Sequence, residues 1–130
     1  MSLALKPMVL VFLGGGIGSV LRLGVLHASR LWLPPGFPFG TLAVNLLGGL
    51  AAGAVGAALV GRGSGGVDTL SLFLMTGVLG GFTTFSAFSL EAYLLWQRGD
   101  AGAAAVYVAA SVLLSIAAVI AGFAAVRALS

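Results

Sequence analysis

Four long apolar stretches dominate the chain, separated by short clusters of residues that end helices. The first runs from about Met8 to Trp32, the second from about Phe39 to Val60, the third from about Thr69 to Trp96 and the fourth from about Ala101 to Arg127. Each meets or exceeds the ~20 residues that an α-helix needs to cross a ~30 Å hydrocarbon layer. Between them, Pro34-Pro35-Gly36-Phe37-Pro38 cannot continue a helix. Gly61-Arg62-Gly63-Ser64-Gly65-Gly66 reads as a flexible polar link, and Arg98-Gly99-Asp100 as a tight turn. Trp32, Phe37 and Trp96 lie near span ends, where aromatic rings favour the membrane–water interface. The pattern predicts an all-α membrane protein with four transmembrane helices, forming a single domain over residues 1–130.

The third stretch departs from a plain lipid-facing helix. Gly80-Gly81-Phe82-Thr83-Thr84-Phe85-Ser86-Ala87-Phe88-Ser89 carries four hydroxyls and two adjacent glycines at membrane depth. Hydroxyls in hydrocarbon are costly unless hydrogen-bonded, and paired glycines followed by threonines weaken a helix. Irregular backbone at that depth is tolerated only inside protein or along a cavity. A third helix broken near its middle, lining a functional site, is the expectation. Gly14, Gly18, Gly49, Gly53, Gly77 and Gly81 also fall in small-xxx-small pairs, which let helix backbones approach closely. The Gly80-Gly81 pair stands apart from them, because polar residues follow it directly.

Composition agrees with a membrane location. The chain is 60% hydrophobic and 7% charged, against roughly a quarter charged in soluble domains. There is no cysteine, so disulfide and thiolate chemistry are excluded, and one histidine, His27, cannot build a histidine cluster. Six basic residues against three acidic ones give a net charge of +3, but they are scattered, which argues against nucleic acid as a partner. With four spans, Lys6, Arg62 and Arg127 share one side, while Arg30 and Arg98, with Arg22 partway down the first span, belong to the other. The positive-inside rule then gives almost no preferred orientation. This near-tie predicts insertion both ways round and an antiparallel, dual-topology homodimer.

Several side chains are candidates for chemistry. Phe85 and Phe88, spaced i and i+3, share one helix face. They interleave with Thr83, Thr84, Ser86 and Ser89, and electropositive ring edges can attract an anion. Asn45 lies mid-span, where its amide needs partners; interhelical bonding and donation to a desolvated anion are both open. Tyr107, Ser111 and Ser115 recur every four residues as one polar stripe, read as a lined path or a packing seam. Arg22 sits well inside the first span, and Glu91, the only glutamate, lies late in the third. No two carboxylates fall together for acid–base catalysis, no Ser/His/Asp arrangement exists, and Gly14-Gly15-Gly16-Ile17-Gly18 lacks the lysine of a phosphate loop. An enzyme is not expected.

These residues resemble a known family. Gly80 to Glu91 looks like the third-helix signature of the Fluc (CrcB) fluoride channels, Gly40-Thr41-Leu42-Ala43-Val44-Asn45-Leu46-Leu47-Gly48 its second-helix motif, and Gly14 to Gly18 with Arg22 its first. Tyr107, Ser111 and Ser115 fit its fourth-helix polar track. The resemblance implies a fluoride-selective channel that exports fluoride passively through two pores, in an antiparallel homodimer in the prokaryotic plasma or inner membrane. Phe85 would belong to one pore and Phe88 to the other, with Thr84 and Ser86 beside them and Asn45 donating to fluoride. Arg22 would lie at a vestibule and Glu91 near the pore's far end. The backbone carbonyls of Gly80 and Thr83, from both subunits, would hold one central sodium ion. Ala87 stands where many members carry a hydroxyl residue, so Ser86 would have to suffice. The alternatives are a small multidrug transporter, which needs a first-span glutamate this chain lacks, a fluoride/proton antiporter, for which Glu91 is the one candidate carboxylate, and a structural subunit without transport, which leaves the Phe/Thr/Ser segment unexplained.

Overall fold

The computed structural model describes residues 5–62 and 68–130, and in it the four apolar stretches are helical. They are α1 (Leu5–Trp32), α2 (Phe39–Gly61), a third span from Thr69 to Gln97, and α6 (Ala101–Ala128). All four are long and apolar enough to cross a membrane. Most of the expected polar link between the second and third spans lies outside the described residues.

The third span is composite. It opens with α3 (Thr69–Ser71), whose first turn is capped by Asp68 accepting the Ser71 N–H. It continues through a π-helical stretch, Leu72–Leu79, and one turn, α4 (Gly80–Phe82). Thr83 (φ −76°, ψ 160°) and Thr84 (φ −153°, ψ 114°) are extended, and α5 (Phe85–Gln97) then completes the span.

Both described connections bounded by helices turn at a glycine. Gly36 adopts φ 102° and Gly99 φ 83°, left-handed backbone that a side chain disfavours. Nothing crowds either Cα, so conformation rather than space requires glycine there. At the end of α5 the Gly99 N–H reaches the Trp96 carbonyl and the Asp100 N–H reaches that of Leu95, a Schellman closure. Asp100 then caps α6 by accepting the Ala103 N–H at 3.0 Å.

Two backbone-to-backbone seams hold the helices. In one, Gly14 and Gly18 of α1 face the first half of the third span. A Cβ on Gly14 would come within 2.7 Å of the Phe73 carbonyl oxygen, and one on Gly18 would collide with that of Val78. In the other, Gly53 of α2 and Gly122 of α6 each abut the opposite helix's backbone, at the Val119 and Leu50 carbonyls. One expectation needs correction. Gly80 and Gly81 do not themselves interrupt the helix: both lie in α4, and Gly81 packs directly against Gly15, whose Cα a Cβ would approach to 2.9 Å. The departure from helix falls on the two threonines that follow.

Little of any helix is buried in the single chain, and large apolar side chains such as Phe12, Leu13 and Val20 face outward. That surface suits lipid tails. If the α2–α6 seam is as tight as its geometry implies, Gly53→Ala will cost about 1–3 kcal/mol through overpacking. The readout is the thermal midpoint of the purified protein in detergent; an unchanged midpoint would contradict backbone contact there.

Candidate functional site

The site begins where the third span leaves helical geometry. Thr83 still belongs to the preceding turn: its N–H and its hydroxyl both donate to the Leu79 carbonyl, each at 2.9 Å. Thr84 starts the next helix. Its Oγ1 accepts the Ala87 N–H at 3.2 Å, the N-cap arrangement that threonine favours, and lies 3.4 Å from the Ser86 hydroxyl.

Extended residues at membrane depth need hydrogen-bond partners, and Asn45 of α2 supplies them. Its Oδ1 accepts the Thr84 N–H at 2.9 Å, and its Nδ2 donates to the Thr84 carbonyl at 3.0 Å. The side-chain amide thus pairs with Thr84 as a neighbouring strand would. The amide nitrogen carries two hydrogens, so one remains for another acceptor.

This pairing redirects two backbone donors. In an unbroken helix the Thr84 N–H would serve the Gly80 carbonyl, and the Ala87 N–H that of Thr83. Here the first goes to Asn45 and the second to the Thr84 hydroxyl. The Thr83 carbonyl instead meets Arg22, whose Nη1 donates to it at 3.4 Å. Arg22 reaches the interruption itself. Ser19, one turn earlier on α1, donates to the Gly81 carbonyl at 3.5 Å.

Beside the interruption lies a cleft of about 390 Å³. Asn45, Thr84, Phe85, Phe88, Ser111 and Ser115 all line it, so the structure brings together candidates from three spans. Ser111 is buried, and its hydroxyl finds no hydrogen-bond partner among the described residues. A helical serine can ordinarily bond back to a carbonyl of the preceding turn; this one does not. The two phenylalanines have opposite surroundings despite sharing a face. Phe88 is 9% exposed and Phe85 78%, with their ring centroids 5.5 Å apart.

A second cluster sits nearer the end of the span. Glu91 accepts two hydroxyl bonds, from Thr41 at 2.9 Å and from Tyr107 at 2.7 Å. Tyr107 is fully buried, and its one proton is committed to the carboxylate. It therefore shares the cleft's neighbourhood through its ring, which packs 5.3 Å from Phe88, rather than by a free hydroxyl. Thr41 was not among the sequence candidates. Its place one helical turn before Asn45, on the same face, was the available signal.

Helices long enough to span a bilayer, an interrupted third span and a cleft edged with hydroxyls, an amide and phenyl rings define a class: a small helical membrane protein with a few polar groups gathered at a cleft among its helices. Comparison with known proteins narrows this. The family model described as CrcB-like protein, Camphor Resistance (CrcB), matches residues 9–123, and the chain belongs to that family. It is 54% identical over 121 residues to the fluoride-specific ion channel FluC of Rhizobium etli strain CIAT 652, covering 93% of this chain and 96% of the relative. With the FluC of Paracoccus denitrificans it shares 55% identity over 113 residues, 86% of this chain and 87% of that protein. The FluC of Rhodopseudomonas palustris strain BisB5 is 47% identical over 122 residues, 94% and 98% of the two chains. The protein is an integral membrane protein and not an enzyme.

Replacing Asn45 by Ala leaves two buried backbone groups of Thr84 without partners. This should destabilise the protein by about 1–3 kcal/mol, seen as a lower melting midpoint in detergent. Asn45→Asp should lose stability as well, because a carboxylate oxygen would face the Thr84 carbonyl. Melting midpoints equal to the unsubstituted protein's would show that the pairing contributes nothing.

Proposed function

We propose that the protein is a fluoride-selective channel, and that fluoride leaves the cytoplasm passively along the cleft between α2, α5 and α6. One observation carries this reading: the buried Ser111 hydroxyl, without a partner among the described residues, opens on a cleft walled by phenyl rings. A buried donor left unbonded is costly, and an anion moving past it would satisfy it. The relatives' name, fluoride-specific ion channel, supplies the identity of that anion.

The chemistry of the cleft suits a small, strongly hydrated anion. Ser111, Ser115 and the second hydrogen of the Asn45 amide offer donors in place of water, and ring edges of Phe85 and Phe88 add weak positive potential. Donors too few would block the ion's arrival, and a site too strong would block its departure. Thr84 and Ser86 share hydrogen-bonding capacity beside the rings, so Ser86 can adjust without Ala87 contributing a hydroxyl. Arg22 places a positive charge at the interruption, which favours anions nearby.

The same reading extends to assembly. We infer an antiparallel homodimer with two pores, supported by the near-balance of basic residues across the two sides and by Phe85. That ring edges the cleft but is mostly exposed, and its exposed side would line a path shared with the second copy, while the buried Phe88 faces the cleft within its own subunit. The two extended threonines are the break that lets one subunit approach the other. The Gly80 and Thr83 carbonyls lose their usual helical donors, and carbonyl oxygens suit a hard cation; Arg22, 3.4 Å from the Thr83 carbonyl, would have to give way to it. Four of these carbonyls, two from each subunit, would hold a sodium ion, which would offset the carbonyl dipoles and tie the subunits together.

The test is efflux from liposomes containing the purified protein, followed with a fluoride electrode and repeated with chloride. Fluoride should leave and chloride should not; a protein that moves neither, or both alike, contradicts the reading. Ser111→Ala should slow fluoride efflux by roughly tenfold, the value of one hydrogen bond to a charged group. An unchanged rate would place Ser111 outside the path.

A further inference from the structure

The phenyl rings of the cleft continue beyond Phe88. Phe88 packs on Tyr107 with centroids 5.3 Å apart. Tyr107 packs edge-to-face on Phe37 at 5.5 Å and 83°, and Phe37 packs on Phe39 at 4.7 Å. From Phe85 to Phe39 this is one unbroken ladder of rings. Phe37 is the rung that does not belong to a membrane span. It sits in the Pro34–Pro38 connection between α1 and α2.

Two features distinguish Phe37 from a ring that merely fills space. The first is how firmly its backbone is seated. Arg98 Nη2 donates to the Gly36 carbonyl at 2.8 Å, Gly36 holds a left-handed turn, and the Phe37 carbonyl accepts the Phe39 N–H at 2.9 Å. The second is what lies beside it. Two clefts, of about 310 and 450 Å³, adjoin the connection, one bordered by α1 and α2 and the other by α5. Both are lined by Phe37 and both reach Glu91; Arg30 lines one and Arg98 the other.

We propose that Phe37 is a further pore residue: the one ring of the track that lies outside the membrane spans, beside Tyr107 and Glu91, past whose edge the anion passes between the cleft and water. The inference rests on the channel reading. A carboxylate at the end of an anion path raises a barrier. At Glu91 that charge is damped by hydroxyls from Thr41 and Tyr107. The electropositive edge of Phe37, with Arg30 and Arg98 beside it, supplies the compensating potential. Leaving the ring's edge in place therefore matters more than its volume, and Arg98 acts as a positioning residue that keeps the connection beside Glu91.

The full-length protein is reconstituted in liposomes and fluoride efflux is measured for four forms: unsubstituted, Phe37→Tyr, Phe37→Leu and Arg98→Gln. Elution as the same oligomer in detergent checks the fold of each. Phe37→Tyr keeps a ring edge and should conduct near the unsubstituted rate. Phe37→Leu, of similar bulk without a ring, should be slower by about tenfold. Arg98→Gln disturbs no buried group and should also slow efflux. It serves as the independent arm if the leucine variant does not fold. Efflux at the unsubstituted rate from a folded Phe37→Leu, or from Arg98→Gln where the leucine variant does not fold, overturns the proposal. Absence of fluoride efflux from the unsubstituted protein overturns the channel reading, and this inference with it.

Discussion

Everything at the centre of this molecule depends on one side-chain amide standing in for a peptide group. Backbone that leaves helical geometry inside a bilayer must find donors and acceptors within the protein, because an unpaired group costs several kcal/mol in hydrocarbon. Asn45 meets both needs of Thr84 at once. Without that pairing the cheapest arrangement for the third span would be one continuous helix. With it, the chain can turn at Thr83 and Thr84, restart at Phe85 under the Thr84 cap, and present rings and hydroxyls at a new angle. The same pairing draws the Thr84 amide away from the Gly80 carbonyl, so the interruption releases that acceptor from its helical donor while Asn45 and Thr84 come to line the cleft.

The glycine seams explain why Asn45 is in position. Gly53 and Gly122 bring α2 and α6 into backbone contact, which fixes Asn45 and Ser111 relative to each other. Gly14 and Gly18 lock α1 to the first half of the third span and carry Arg22 to the Thr83 carbonyl. In a bilayer, where apolar burial does not distinguish protein from lipid, such close contact is the available way to hold helices in register. The second half of the third span is held differently, through the Glu91 hydroxyl cluster and ring packing against α6. The two halves thus answer to different neighbours, which is why the interruption can sit between them.

Much of this was legible in the sequence, for reasons that differ from residue to residue. Four spans follow from apolar length alone, although α1 is already helical at Leu5, ahead of Met8, since hydropathy marks the bilayer and not the helix. The polar patch in the third span was visible because hydroxyls there contradict their surroundings. What the pattern could not give was which backbone lay opposite each glycine. The Gly80-Gly81 pair therefore read as a weak point of the helix, although both glycines are helical and Gly81 is a packing contact with Gly15. The four-residue spacing on α6 placed Tyr107 with Ser111 and Ser115, yet a tyrosine hydroxyl lies a ring's length from its helix, and here that length carries it to Glu91. Asn45 had two readings from sequence. The structure gives it the interhelical bonds, and its second amide hydrogen leaves donation to an anion compatible with them.

The central claim is that an interruption held by Asn45 creates an anion path past Ser111. A crystal structure of the purified protein, grown in sodium fluoride, tests it most directly. The account predicts Asn45 still paired with Thr84 and a non-protein density peak within hydrogen-bonding distance of the Ser111 hydroxyl. A continuous third helix, or a Ser111 hydroxyl bonded to its own helix beside a cleft filled with lipid, would contradict it.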